Sequence, residues 1–209
     1  HKAIRRQRQM CIRDRFYRRK DMIKNRFKDD YSWNARLNGK GRVVDDICYT
    51  GTYYILPFTE QEKKKSNWLN MAFAAVLLIL QVAAGMVNQD SSRTFWVLYP
   101  YLFTFLPVFY FLVGAFSYWS DPLRMQTAQY ETGLARMRRS CIGSMVMTII
   151  SVILDIIYMV IHRGDMQTGK EFLYTGVLIL YIIAAAGFGI YYDKTYAGLR
   201  TEQSRNKLE

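Results

Sequence analysis

The run at residues 142–161, IGSMVMTIISVILDIIYMVI, constrains this chain more than any other stretch, because among twenty residues only Asp155 can carry a charge near neutral pH. About 20 mainly apolar residues rising ~1.5 Å each cover a hydrocarbon core ~30 Å thick, so the run predicts a membrane-spanning helix. Three further blocks, 68–87, 95–118 and 172–192, have similar length and character. A helix in a water-soluble core seldom stays apolar on every face over such a distance. The predicted fold class is therefore an all-α membrane protein, a four-helix transmembrane bundle with a small cytoplasmic N-terminal β-hairpin region. A mean hydropathy of −0.08 and a net charge of +12 conceal this, since they average a basic first third with four nearly uncharged blocks.

Orientation follows from the basic residues. The connections 88–94 and 162–171 hold only Arg93, Arg163 and Lys170 of the 29 Lys and Arg residues. The excess on the other side predicts a multi-pass protein of the cell membrane with both termini cytoplasmic. Trp68 and Trp119, with Tyr118, Tyr191 and Tyr192, fall at one predicted boundary and Trp96 at the other, as an aromatic belt requires. No apolar core with a small-residue cleavage site opens the chain, so the first span is expected to serve as the targeting element.

The region ahead of the spans divides in two. Residues 7–14, QRQMCIRD, resemble a translated sequencing-library adapter, so 1–15 is expected to be an assembly scar or a disordered tail. Residues 16–66 form a basic cytoplasmic region in which Arg and Lys alternate with aromatics and Ile23 and Phe27 can share a helical face. Anionic lipid headgroups are the expected partner, and nucleic acid is not, because no recognition module is present. After the turn signal AsnGlyLysGly at 38–41, two β-rich runs around Thr50 and Gly51 predict a hairpin over about 42–58. Thr59 and Glu62 make a capping box that starts a helix at Glu60, and Lys63, Lys64 and Lys65 then enter the headgroup layer.

Within the transmembrane domain, 67–192, Ser120, Asp121 and Pro122 signal the start of an amphipathic helix over about 122–140. Leu123, Tyr130, Leu134 and Met137 form its apolar stripe, opposite Arg124, Arg136, Arg138 and Arg139. Lying on the membrane surface is the reading favoured for it, with Arg136, Arg138 and Arg139 on headgroups. Residues 193–209 are expected to be a cytoplasmic tail. Ala185 and Gly189 form a small-xxx-small pair suited to close packing, within the chain or with a second copy.

Asp155 is the candidate functional residue. Cys141, Ser144, Thr148, Ser151, Asp155, Tyr158 and His162 recur every three or four residues, so the polar side chains share one face that must point into protein. Burying a charge at a helix centre costs ~2.5–3.5 kcal/mol on insertion scales, which the Ile, Leu and Val residues of the same span offset. Counting ~1.5 Å per residue from the outer ends places Gln81, Tyr101, Thr104 and Tyr181 at a similar depth, predicting one polar layer. No Lys or Arg lies within a span, and Asp155 reads as the only membrane carboxyl. Interhelical hydrogen bonding is its favoured role, with proton-coupled transport by a small oligomer as the alternative.

Enzyme chemistry finds no motif. The two histidines are far apart, the three cysteines, Cys11, Cys48 and Cys141, are scattered, and neither a phosphate loop nor a nucleophile elbow occurs. No cofactor or metal is expected. The segment YTGTYYILPF at 49–58, the following EKKK and four spans with a basic central connection resemble the small, uncharacterised four-span integral membrane proteins of Gram-positive bacteria. That resemblance implies the membrane architecture and no particular activity. The expected function is that of a non-enzymatic structural, regulatory or interaction protein, in contact with lipids and with a second copy or another protein.

Overall fold

A computed structural model describes residues 25–37, 43–162, 164 and 167–204. The expected scar at 1–15, the basic stretch through residue 24 and the turn at 38–41 lie outside these residues. The described chain begins with a 3-10 helix, Asn25–Asp30, followed by strands β1 (Tyr31–Leu37), β2 (Val43–Tyr49) and β3 (Thr52–Ile55). Helix α1 (Glu60–Met86) leads through a short turn, Ser91–Arg93, into α2 (Phe95–Ser120). Strand β4 (Arg124–Gln126), the short α3 (Thr127–Thr132), α4 (Leu134–Ile161), α5 (Thr168–Tyr196) and β5 (Arg200–Gln203) complete the order.

The four long helices run up, down, up, down, and each packs against two others: α1 on α2 and α5, α4 on α2 and α5. All four are long and apolar enough to cross a membrane. Their burial is that of a bundle in an apolar solvent, since only 28–33% of the residues in each most apolar stretch are buried. Ile79, Phe103, Phe109, Ile153 and Ile183 all face outward. Apolar surface on that scale is far beyond the few hundred Å² that a soluble monomer exposes.

Each helix buries one stripe. On α1 the stripe is Lys63, Ser66, Asn67, Asn70, Ala74, Leu77, Gln81 and Ala84, at helical spacing. On α4 it holds Cys141, Ser144, Thr148, Ser151, Asp155 and Tyr158, the face expected from the sequence except for His162, which is exposed at the helix end. Most of that polarity is satisfied inside the helix: Ser144, Thr148 and Ser151 donate to the carbonyls of Cys141, Ser144 and Met147. Such residues let backbones approach closely, and Cys141 Sγ donates to Ala185 O of α5 at 3.3 Å. Gly189, the other member of the small pair, has open space where a side chain would be, so Ala185 alone serves this contact.

The connections depart from expectation in three places. Strand β2 does not pair with β3. It pairs antiparallel with β1, Tyr31 opposite Tyr49 and Leu37 opposite Val43, while β3 lies between β4 and β5. Gly51 makes the break: Thr50 and Gly51 donate to Asp30 O, and a Cβ on Gly51 would sit 2.6 Å from the Tyr49 hydroxyl. Ser120, Asp121 and Pro122 end α2 and lead into β4, and the capping box lies later, at Gln126 and Gln129. Residues of the expected tail form β5. The capping box at Thr59 and Glu62 is present, and α1 begins at Glu60.

The sheet of β3, β4 and β5 caps the end of the bundle where α1 and α4 begin and α2 and α5 finish. Met125 of β4 is fully buried on that end, with Leu134 and Met137 of α4. The apolar stripe expected at a lipid surface is instead packed into protein. Tyr54 of β3 stacks on Tyr130 of α3 at 4.1 Å, and the Tyr49 hydroxyl meets Thr127 Oγ1 at 2.9 Å.

Candidate functional site

The two ends of the bundle bury different chemistry. At the end away from the sheet, Asp155 of α4 and Glu171 in the first turn of α5 are both fully buried. Thr175 Oγ1 donates to Asp155 Oδ2 at 2.6 Å, and the backbone N–H of Ser91, from the α1–α2 connection, donates to Glu171 Oε1 at 2.9 Å. Asp155 has the Glu171 carboxyl and the Ser91 side chain within interaction range. The remaining oxygens, Asp155 Oδ1, Glu171 Oε2 and Ser91 Oγ, are buried without a hydrogen-bond partner among the described residues.

Asp155 is thus not the only carboxyl there, which corrects the sequence reading. Hydropathy places Glu171 in a connection, yet α5 begins at Thr168, so Glu171 occupies the first helical turn with its side chain turned into the bundle. The signal available in the sequence is spacing: Glu171, Thr175 and Leu178 recur at four and three, and all three are buried.

The predicted polar layer is only partly assembled. Gln81 and Tyr101 lock α1 to α2 reciprocally, Gln81 Nε2 donating to Tyr101 O at 3.2 Å and the Tyr101 hydroxyl to Gln81 O. Tyr101 continues edge-on to Tyr174 at 5.9 Å, and Tyr174 lies in the field of Asp155 and Glu171. Thr104 is spent on its own helix, donating to Pro100 O. Tyr181 lies deeper, beside Ser144 and Cys141, because α4 and α5 are antiparallel with Asp155 level with Thr175 and Cys141 level with Ala185. Counting depth from residue 172 rather than from Thr168 caused that misplacement.

At the sheet-capped end the buried charge is a cation. Lys63, expected on lipid headgroups, is only 5% exposed. Its Nζ donates to Tyr118 O at 3.0 Å and stands 3.1 Å from the centre of the Tyr118 ring, a cation–π contact. Asp121, outside the spans at the end of α2, faces it. Burial pushes the Asp121 carboxyl up to about 6, while the Lys63 charge pulls it back. One helical turn on, Tyr196 of α5 gathers α1: its hydroxyl lies 2.7 Å from Ser66 Oγ and accepts from Asn70 Nδ2 at 2.8 Å.

The other expected headgroup residues divide. Lys64 and Lys65 are exposed. Arg136 lies 5.9 Å from the centre of the Tyr110 ring, Arg138 pairs with Asp193 at 3.2 Å, and Arg139 pairs with Glu131 at 2.8 Å. Both ion-paired arginines are more than half exposed, so these pairs leave them open to a further anion. A groove of about 170 Å³ opens beside Arg138, lined also by Tyr130, Leu134, Tyr192 and Leu199.

Among the described residues no group of three or more His, Cys, Asp and Glu side chains is placed to hold a metal ion. No protein-family model matches the chain, and no curated protein and no solved structure is significantly similar to it.

Proposed function

We propose that this chain is a non-enzymatic, multi-pass protein of the cell membrane, with both termini cytoplasmic, that acts through contacts made by its sheet-capped end with anionic lipid headgroups. The observation that carries this reading is the position of the basic side chains. Lys64, Lys65, Arg138 and Arg139 are exposed on the capped end, where the apolar outer belt of the helices stops. Each Lys or Arg near an anionic leaflet contributes about 1 kcal/mol of attraction. The groove beside Arg138, with tyrosines and leucines in its walls, suits one headgroup and its glycerol backbone.

The test is reconstitution of the whole protein in nanodiscs with and without phosphatidylglycerol, reading lipid retention and thermal stability. Retention of the anionic lipid should fall for a variant carrying Lys64→Gln, Lys65→Gln, Arg138→Gln and Arg139→Gln. Equal retention in variant and wild type would sink the reading. Attachment of an impermeant reagent to single cysteines at 92 and 202 tests the orientation, residue 92 being expected outside and residue 202 inside.

A second reading, a small oligomeric proton-coupled transporter using Asp155, gains support from one feature the sequence did not suggest, a second buried carboxyl beside it. Proton flux in liposomes, compared between wild type and Asp155→Asn, separates it from the first.

A further inference from the structure

The carboxyl pair poses a problem that its neighbours do not solve. Each carboxylate uses one oxygen, Asp155 Oδ2 on Thr175 and Glu171 Oε1 on the Ser91 N–H, and the other oxygen of each makes no hydrogen bond among the described residues, the Ser91 hydroxyl being the one neutral donor within interaction range of Asp155. Two ionised carboxylates within interaction range repel each other, and each also bears the cost of leaving water. The groups around them offer no compensating charge. On α4 these are Tyr158 and His162, stacked on each other at 4.3 Å near the helix end. On α5 they are Tyr174, uncharged, and Lys170, exposed; on α2 there is Tyr101. In the α1–α2 connection they are Asp90, which adds negative charge, and Arg93, which is exposed. Among the described residues neither carboxyl makes an ion pair. Arg163 lies outside the described residues and enters the test below.

Among the described residues no third His, Cys, Asp or Glu joins the pair to hold a metal ion. Calcium takes about six to eight oxygen ligands, and magnesium about six in a strict octahedron. Asp155, Glu171 and Ser91 present three unpartnered oxygens, so a cation here would draw most of its ligands from elsewhere. A single proton meets every requirement. It removes one of the two charges, and it turns one acceptor into the donor that the facing oxygen lacks.

We propose that Asp155 and Glu171 form a proton-binding site in which one proton, held between Asp155 Oδ1 and Glu171 Oε2, fastens α4 to α5 and keeps the α1–α2 connection docked through Ser91. The inference is independent of transport, because a proton can bind without crossing. Loss of the proton leaves two facing carboxylates, which separate into water and release the Ser91 N–H. If opening releases one proton, the open population rises up to tenfold per pH unit once the opened carboxyls are ionised.

The experiment is infrared spectroscopy of the full chain in nanodiscs at neutral pH, with hydrogen–deuterium substitution to identify the C=O stretch of a buried protonated carboxyl. Wild type should show one such band. Asp155→Asn and Glu171→Gln should each abolish it, because the introduced amide supplies the missing donor and leaves the surviving carboxyl ionised. Both variants keep shape and hydrogen bonding, and retention of the thermal transition confirms folding. No band in wild type, or a band that survives either single substitution, overturns the shared proton. Arg163→Gln should leave the band unchanged; a second protonated-carboxyl band in that variant would make Arg163 the counter-charge of an ionised partner and overturn the proposal. Amide exchange over residues 87–94 gives a second readout. Corrected for intrinsic chemistry, it should rise up to tenfold per pH unit in wild type and stay flat in both variants, whereas equal pH dependence in all three proteins also overturns it.

Discussion

The two ends of the bundle bury polar groups in opposite ways. At the capped end, the cation of Lys63 meets a backbone carbonyl and an aromatic face, and the hydroxyl of Tyr196 joins Ser66 and Asn70 across two helices. Three separate chain segments, β3, β4 and β5, close over it. At the far end, two acids lie side by side beneath the α1–α2 connection. Buried lysine finds acceptors readily, because every carbonyl and ring face serves; a buried carboxylate needs N–H or O–H groups, most of which the helices already use. The capped end is therefore held by chain topology and a network, and the far end by the few bonds that Asp155 and Glu171 make to Thr175 and Ser91.

From this contrast the largest single loss is expected in the network. Tyr196→Ala removes a buried ring packed near Phe58, Tyr118 and Tyr192 and leaves Asn70 Nδ2 without its acceptor. A cost of about 3–5 kcal/mol is expected from the cavity and the orphaned donor together, read as reversible unfolding in detergent. Tyr196→Phe, which keeps the ring, should recover more than half of it. A loss below about 1 kcal/mol would show that the capped end does not rely on this side chain.

At the far end, Glu171→Ala leaves the Ser91 N–H without its acceptor and should cost about 2–3 kcal/mol. Its effect on amide exchange should be confined to the α1–α2 connection, which Glu171 ties to α5 through the Ser91 N–H. Global loosening would mean that the two ends are not independent.

The same contrast explains what could be read from the chain. The spans, the polar face of α4 and the helix start at Glu60 follow from periodicity and a local capping box, which involve residues close in sequence. The three-stranded cap is hidden because its strands are as short as Arg124–Gln126 and their pairing joins residues far apart in the chain, such as Ile55 with Arg124 and with Arg200. In the sequence Lys63 looks like one of a charge run with Lys64 and Lys65, whereas helical spacing puts Lys63 in register with Ser66, Asn67 and Asn70 on the buried stripe. Asp155 stood out because apolar residues surround it. Glu171 did not, because its neighbours Gly169 and Lys170 make it look like part of a loop.

Replacing Lys63 by Met tests how much its charge contributes. Met keeps most of the apolar volume and removes both the bond to Tyr118 O and the ring contact, for an expected loss of about 1–2 kcal/mol. Relief from burying a charge offsets part of the interaction, so the value should stay below that of Glu171→Ala. A stabilised variant would show that desolvation outweighs both contacts.

The smallest effect should be a pH dependence at Asp121. Its carboxyl is held up to about 6 in the folded protein against an ordinary 3.8, burial being the main cause. Between these values the folded state binds a proton that the unfolded chain does not, so this group's contribution makes the protein more stable as pH falls from about 6 to 3.8. Above about 6 the ionised group disfavours folding by a constant amount, and below 3.8 no further gain accrues. Asp121 is partly exposed, so solvent screening keeps the effect small. Asp121→Asn should flatten the stability profile across that window while leaving the rest unchanged. In Lys63→Met the opposing charge is gone, so the window should begin at a higher pH than in wild type. Two profiles that begin together would mean that Lys63 and Asp121 do not sense each other, and that the cation at the capped end is held by Tyr118 alone.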